Sequence, residues 1–540
     1  MNEAGAPDSS HRDTTDYCIA VLIAICAAAV FVRTLAPDLL YGDSAEFQTL
    51  AYTLGMTHST GYPVYLLLAR AVGLLPVGTP AWRVSLFSAV TAALTVGGVY
   101  LLARHLTTSR VGALIGAIAL TFSYTFWSQA IIAEVYTPAT ACAVIALLLL
   151  WRWHGKPHRH SVALAVACLL MGAGLGIHAS VGLFIPPAGA FILYNVLSRG
   201  LTHPARALGI AVGSGLLGLA LFVGTFVLID LHNPSSSFIN VTIRPSRSVW
   251  GLTPADLDSP LERFWITVSG LQWRDAMFPD GGSSWITDMW AGAGAYADRL
   301  LTNEFTWVTV GCALLGAAYA VKAHPVLGWF LVGCFTFTLV AVLNYNPPDW
   351  HVFLLPTYIP LTVATGVGVG QVLKGVLMIS GEGRGARLAY SALVALLLLG
   401  VMISPYIATR CDAVRTGIAW FSEEHYVYPV NQPEEPRQLA TVRLMRLPDG
   451  ALLLLDWRAL YTTYYMAHVE GMRPQIEIKE ATPHGSEGLL AESLLTTVEE
   501  ALAAGQPVYS DHAHDQLRQR FRVWPAPGGG MYQIRLRRTN

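Results

Sequence analysis

The stretch Tyr41–Tyr65, YGDSAEFQTLAYTLGMTHSTGYPVY, decides how the rest of the chain reads. It follows directly on the first apolar segment and carries two carboxylates, Asp43 and Glu46. Aromatic residues and glycines then lead to His58 and the turn-forming Gly61-Tyr62-Pro63. On a helix, a spacing of i, i+3 puts both carboxylates on one face. Charge close to hydrocarbon is expensive, so an acidic pair beside a membrane-spanning segment requires a reason. One reason is structural: Asp43 or Ser44 opens a helix as its N-cap, with Glu46 in the first turn. The other is chemical, the capped helix presenting a catalytic acid. The two readings are compatible.

Composition sets the class. Of 540 residues, 53% are hydrophobic and 13% charged, with a mean hydropathy of +0.46. Those values describe a polytopic membrane protein. A formal net charge of -1 gives no electrostatic argument for a nucleic-acid partner. Charged residues concentrate in 411–540, which marks that part as a separate water-facing domain. Six of the seven cysteines (Cys18, Cys26, Cys142, Cys168, Cys312 and Cys334) fall in apolar segments, so neither a disulfide framework nor zinc-ligand spacing follows. The first 16 residues are polar, without the basic flank and cleavage site of a signal peptide, and predict a cytoplasmic N-terminus before a retained anchor.

A membrane helix needs about 20 apolar residues. Segments near 17–36, 82–103, 110–128, 137–152, 161–177, 179–198, 205–229, 304–321, 325–343, 352–373 and 388–407 qualify, which predicts an α-helical bundle of about eleven transmembrane helices over 17–410. Arg104, Arg110, Arg152, Lys156, Arg159, Arg199, Arg206, Lys322, Lys374, Arg384 and Arg387 all fall on one side of that alternation. The positive-inside rule makes that side cytoplasmic. The loops 37–81 and 230–303 then lie outside, as does a soluble α/β domain at 411–540, read from strand–helix alternation around LLLLDWRALYTTYY and QPVYSDHAHDQLRQRF.

The same alternation collects the remaining polar boundary residues on the outer face. These are Asp43, Glu46, His58 and Tyr62; Glu134 and Tyr136; His178; Arg244, Arg247 and Arg274; and Asp349 with His351. Chemistry or binding is expected at that mouth. The loop 230–303 is too long for a simple connection, and LERFWITVSGLQWRDAMF within it predicts an amphipathic helix in the membrane interface.

Five stretches in order (GDSAEF, HSTGYP, AEVYTP, VSGLQWRDAMF and YNPPDWHVFLLP) resemble the transmembrane protein 260 family over the first two-thirds of the chain. Its members are GT-C-type membrane glycosyltransferases and include a eukaryotic protein O-mannosyltransferase. The sequence departs from that pattern at HSTGYP, which lacks a second proline, and at His178, which follows Ile where the family has Asn. Neither departure touches the acidic pair.

The resemblance implies a GT-C-like bundle, a sugar (mannose) donated from a polyprenyl phosphate with inversion, and Ser/Thr hydroxyls of an exported protein as acceptor. Such a reaction needs a base for the acceptor hydroxyl and cations for the departing phosphate. Asp43 is the expected base and Glu46 the second catalytic acid, holding the sugar or acceptor, with a structural pairing to an arginine as the alternative for Glu46. Arg244, Arg247 and Arg274 are candidates for phosphate, since a guanidinium matches its oxygens in a fork. His58, Tyr62, Glu134, Tyr136, His178, Asp349 and His351 complete the expected substrate-binding set. Asp43, Asp349 and His351 match no dedicated metal spacing, and no metal or cofactor is expected beyond the lipid-linked donor.

Asp456, Arg458, Asp511 and His512 read as scattered polar residues of the tail domain. Competing readings are transfer to a lipid or cell-envelope glycan, a transporter or flippase, and an inactive scaffold of the same fold. The spans carry little charge at their middles and show no paired repeat, which disfavours transport. A bacterial plasma membrane is the expected location, ahead of the endoplasmic reticulum.

Overall fold

A computed structural model describes residues 14–198, 201–272, 285–343, 345, 349–380, 383–402, 407–417, 434–484, 488–527 and 530–537. Each of the eleven apolar segments carries helix among its described residues. Among the described residues, eight helices are long and apolar enough to cross a membrane: Thr14–Arg33, Pro80–Leu106, Tyr136–Gly155, Ala179–Ser198, Pro204–His232, Pro325–Val342, Trp350–Ile379 and Arg384–Val401. Two bent pairs bring the number to 10 if each is one span. Arg110–Thr121 turns by 68° into Tyr124–Ala130, and Met289–Glu304 turns by 118° into Trp307–Ala323. The count falls short of eleven at Ser161–Gly174, a shorter apolar helix of 14 residues. At 1.5 Å per residue it is too short to span hydrocarbon unaided.

Local chemistry sets the helix starts. Pro63, Pro80, Pro204 and Pro325 occupy first-turn positions, where a missing N–H costs nothing. The side chains of Thr79, Ser109 and Thr306 accept from Trp82, Gly112 and Thr309 N–H respectively, satisfying donors that would otherwise be orphaned. Burial sorts the spans. The Trp350–Ile379 span is 94% buried and forms the hub, whereas Arg384–Val401 at 17% lies at the rim. Lipid tails supply no hydrophobic drive between helices, so close approach depends on small residues. An added Cβ at Gly316 would meet Ala364 O at 1.9 Å, and one at Gly368 would meet Cys312 O at 1.8 Å. These glycines let Trp307–Ala323 lie directly against the hub.

The bundle has two chemically distinct poles. At one, Asp16 accepts from Arg104 (3.0 and 3.1 Å), Arg110 (2.9 Å) and Tyr100 (3.2 Å), tying the first helix to the next two spans. At the other lie the loop 34–62, the turn before Tyr136, the turn at His178 and the turn at Asp349.

The tail carries a five-stranded mixed sheet in the order β2-β1-β3-β5-β4. The strands are β1 (Leu452–Leu455), β2 (Glu477–Glu480), β3 (Val508–Ser510), β4 (Arg522–Pro525) and β5 (Tyr532–Arg535). β1 is parallel to both β2 and β3, while β5 runs antiparallel to β3 and β4. All four leucines of β1 are buried, as a central parallel strand covered on both faces requires. The sheet is not held at a distance. Leu39, Phe47, Leu50 and Tyr65 share one apolar core with Leu444, Leu455, Leu460, Tyr461 and Tyr465.

In the long loop the amphipathic expectation is met by a shorter element, Pro260–Val268, opened by a capping box of Ser259 and Glu262. Its Leu261 and Trp265 are exposed. Arg263 lies inside this helix. It is buried in a two-pronged pair with Asp230 at 2.6 and 2.8 Å, and also donates to the carbonyls of Leu257 and Asp258. The pair is internal to the protein because neither charge is stable alone in that setting.

Candidate active site

The acidic pair sits on the helix Gly42–Thr53, whose N-cap is Tyr41. Asp43 therefore lies in the first turn and caps nothing. Its Oδ1 instead accepts from Trp457 Nε1 at 2.9 Å, across from the C-terminal unit. Ser44 likewise makes no cap: its buried hydroxyl has no hydrogen-bond partner. The capping expectation fails because the helix opens at least two residues earlier than the polar pattern suggested, with Tyr41 as N-cap and Gly42 at φ +56°.

Glu46 is fully buried, and its partner is a histidine where an arginine was the structural alternative. Its Oε1 accepts from the backbone N–H of His58 at 2.8 Å and its Oε2 contacts His58 Nδ1. The turn that delivers His58 uses Gly61 at φ +86°, where a Cβ would fall 2.8 Å from Met56 Sδ. Tyr62 follows at φ +45°, its hydroxyl donating to Ser59 O at 2.7 Å and lying 3.5 Å from His58 Nε2.

A ring of aromatics joins this centre to the other turns. Tyr62 stacks on His178 with centroids 5.6 Å apart, and His178 in turn meets Tyr136 at 5.0 Å and Phe353 at 5.8 Å. Tyr136 donates a hydrogen bond to Asp349. Glu134 is buried one turn away, its backbone clamped to Ser88 Oγ at 3.1 Å in both directions. Asp43, Glu46, His58, Tyr62, Glu134, Tyr136, His178 and Asp349 thus belong to one cluster at one pole. His351 is half-buried in the short turn Trp350–Leu354 that follows.

The electrostatics of the cluster are strongly differentiated. Burial would lower His58, but the Glu46 carboxylate, with Asp43 and Asp349 behind it, overrides this and raises it to about 9. Glu46 is raised by burial, with His58 opposing the shift. We read the pair as a buried imidazolium–carboxylate sharing one proton. His178 goes the other way, pushed down to about 3 by burial and by the His58 charge, so it is neutral. Burial, then Asp43 and Asp349, raise Glu134 well above the usual carboxylate range. Burial and Asp43 raise Asp349 to about 6. Environments that push like groups apart in this way are the pattern expected of acid–base sites.

Of the candidate arginines, Arg244 and Arg247 hydrogen-bond to backbone carbonyls and to no residue of this cluster. Arg244 donates to Leu257 O and Arg247 to Arg244 O, both at 2.9 Å, in a segment packed against the C-terminal sheet. Arg274 lies outside the described residues. Sequence reading missed Trp457, Phe238 and Tyr461. Trp457 approaches His58 at 6.0 Å and Phe238 at 5.7 Å, and Tyr461 donates to Ser236 O at 3.1 Å. The one signal was Trp457's place beside Asp456, immediately after the all-leucine strand.

Asp456, Asp511 and His512, read from sequence as scattered, are brought together at the carboxyl ends of β1 and β3. Among the described residues they are the one group of three whose ligand atoms approach within 4.8 Å of one another. Asp43, Asp349 and His351 do not form such a group.

Residues 43–200 match the family model of the protein O-mannosyl-transferase TMEM260 N-terminal domain. Protein O-mannosyl-transferase TMEM260 of Mus musculus is 28% identical over 235 residues, 43% of this chain and 31% of that protein. The Dictyostelium discoideum protein O-mannosyl-transferase is 26% identical over 148 residues, 27% of this chain and 18% of its own length. The match therefore spans a third or less of either relative.

The fold is similar to that of the archaeal oligosaccharyltransferase AglB from Archaeoglobus fulgidus, in complex with an inhibitory peptide and a dolichol-phosphate. The TM-score is 0.54 at 13% identity, covering 91% of this chain and 69% of that one. It is also similar to ArnT from Cupriavidus metallidurans, with a TM-score of 0.50 at 12% identity, covering 97% and 98%. Residues 43–200 resemble a TMEM260-type N-terminal domain, and the chain as a whole is an integral membrane protein with a GT-C-like fold.

Proposed function

We propose that this protein is an inverting glycosyltransferase that moves a sugar, mannose, from a polyprenyl phosphate to Ser/Thr hydroxyls of an exported protein. The observation that carries the proposal is the setting of Asp43. It lies in the first turn of the first loop helix, held by an indole N–H and close enough to His58, Tyr62 and Tyr136 to act on each electrostatically. The match to a domain named for protein O-mannosyl transfer begins at this residue.

In this reading Asp43 removes the acceptor proton as the hydroxyl attacks the anomeric carbon, and the phosphate leaves with the electron pair of the broken glycosidic bond. The acceptor oxygen ends bonded to the sugar, with inverted configuration. Glu46 holds His58 charged beside the reacting centre. Tyr62, Tyr136 and His178 form an aromatic wall for the sugar ring, and Glu134 with Asp349 orients hydroxyls. The phosphate-holding cations are drawn from Arg244, Arg247 and Arg274. The site faces the side opposite the Asp16–Arg104–Arg110 pole, which the positive-inside rule makes the extracytoplasmic side. Both named relatives are eukaryotic, so the expectation of a bacterial plasma membrane gains nothing from them.

The test supplies synthetic polyprenyl-phosphate β-mannose with Ser/Thr peptides to the purified protein and reads the anomer of the product. An α-linked mannosyl peptide supports the proposal, and a retained β-linkage refutes inversion. Mannose on glycolipid with none on peptide favours a lipid or envelope-glycan acceptor. No transfer from any lipid-linked sugar rejects the enzyme reading.

A further inference from the structure

We infer that Trp457, from the C-terminal unit, is a positioning residue for Asp43, so that the catalytic site is completed by a part of the chain some four hundred residues away. This rests on the reading of Asp43 as the base and deepens it.

The helix carrying Trp457, Trp457–Tyr464, is fixed before its indole reaches the site. Asp456 caps its N-terminus, accepting from Ala459 N at 2.9 Å, and Thr482 Oγ1 accepts from Trp457 N at 3.1 Å. The helix lies along Gly42–Thr53 and is pinned there by side chain to backbone bonds running both ways. Thr462 donates to Leu40 O at 2.7 Å, and Thr49 donates to Tyr461 O at 3.2 Å. With both backbones fixed, the Trp457 Nε1 to Asp43 Oδ1 bond of 2.9 Å sets the carboxylate's rotation. His58 and Phe238 meet the indole edge-on at 6.0 and 5.7 Å and hold the ring plane.

An indole N–H suits this task because it donates and cannot accept or ionise. It engages one carboxylate oxygen and leaves the other to take the acceptor proton. A hydrogen bond to a charged group, aligned before substrate arrives, lowers the reorganisation needed at the moment of reaction.

The experiment compares wild type, Trp457→Phe and Asp43→Asn as full-length protein in detergent. Each is assayed for kcat, donor KM and thermal unfolding. Trp457→Phe keeps an aromatic ring between His58 and Phe238 while removing the N–H. The expected result is a fall of about 10–100-fold in kcat, with donor KM and the unfolding temperature close to wild type. A wild-type kcat in Trp457→Phe, with Asp43→Asn inactive, overturns the inference and leaves the base assignment standing. Wild-type kcat in Asp43→Asn overturns the base assignment itself. A loss in Trp457→Phe matched by a lowered unfolding temperature and a raised KM assigns Trp457 a packing role and also overturns the inference. Replacing Trp457 by a benzothienyl isostere, which has sulfur in place of N–H, reproduces the kcat loss if the bond is the cause and restores wild-type rates if shape alone matters.

Discussion

At the scale of single residues, the Glu46–His58 pair makes the sharpest physical commitment. An imidazolium buried against a carboxylate is stable only as a pair, and removing one partner strands the other. Glu46→Ala is expected to lower stability by about 3 kcal/mol in thermal unfolding. The pH dependence has a definite sign. His58 is raised from 6.5 to about 9 on folding, so its contribution is complete below pH 6.5 and is lost as pH rises through about 9. Stability of the wild type should therefore decline across that window, and the decline should be absent in Glu46→Ala. An unchanged slope in the variant would show that another group titrates there. Asp43 and Glu46 were legible in the sequence because acids beside hydrocarbon are conspicuous. The partner of Glu46 was not, since nothing in local spacing says which of several polar residues a turn will return to it. The same blindness hid Trp457, an unremarkable residue in a soluble tail until the fold brings it to Asp43.

At the scale of elements, apolar runs located the long apolar helices of the described residues, but not their straightness. Arg110–Thr121 and Tyr124–Ala130 read as one continuous apolar run, and the 68° bend between them arises where Ser123 is drawn to Leu120 O at 3.0 Å and Thr125 to the buried Glu304. The Thr125–Glu304 attachment is long-range and has no counterpart in local pattern. Helix contacts are likewise hidden in sequence, because a glycine needed for close approach looks like any other. Gly368→Ala, which drives a methyl into Cys312 O, is expected to lower stability by about 1–3 kcal/mol. Gly311→Ala, with nothing within 4 Å, should not lower it. Equal unfolding temperatures for the two variants would contradict the packing described.

At the scale of the whole molecule, the C-terminal unit is better described as a wall of the site than as a neighbouring module. Its core is continuous with that of the first loop, and Arg437 bridges Asp38 at 2.9 Å and Glu470 at 2.6 Å. Sequence composition set the tail apart by its concentration of charge but carried no sign of where it docks. A protease site inserted between residues 417 and 434 tests this: after cleavage the two parts should stay together through purification in detergent and retain transfer. Separation of the parts would mean that the shared core contributes little.

The central claim is that Asp43 is the base of a lipid-linked glycosyl transfer, and one comparison tests it most directly. Wild type and Asp43→Asn are given the same radiolabelled polyprenyl-phosphate mannose and peptide, with donor binding measured in parallel. The account predicts that Asp43→Asn binds donor as wild type does while transfer falls by about 10²-fold or more. Transfer at the wild-type rate by Asp43→Asn would contradict it and move the chemistry to another carboxylate of the cluster, Glu134 or Asp349.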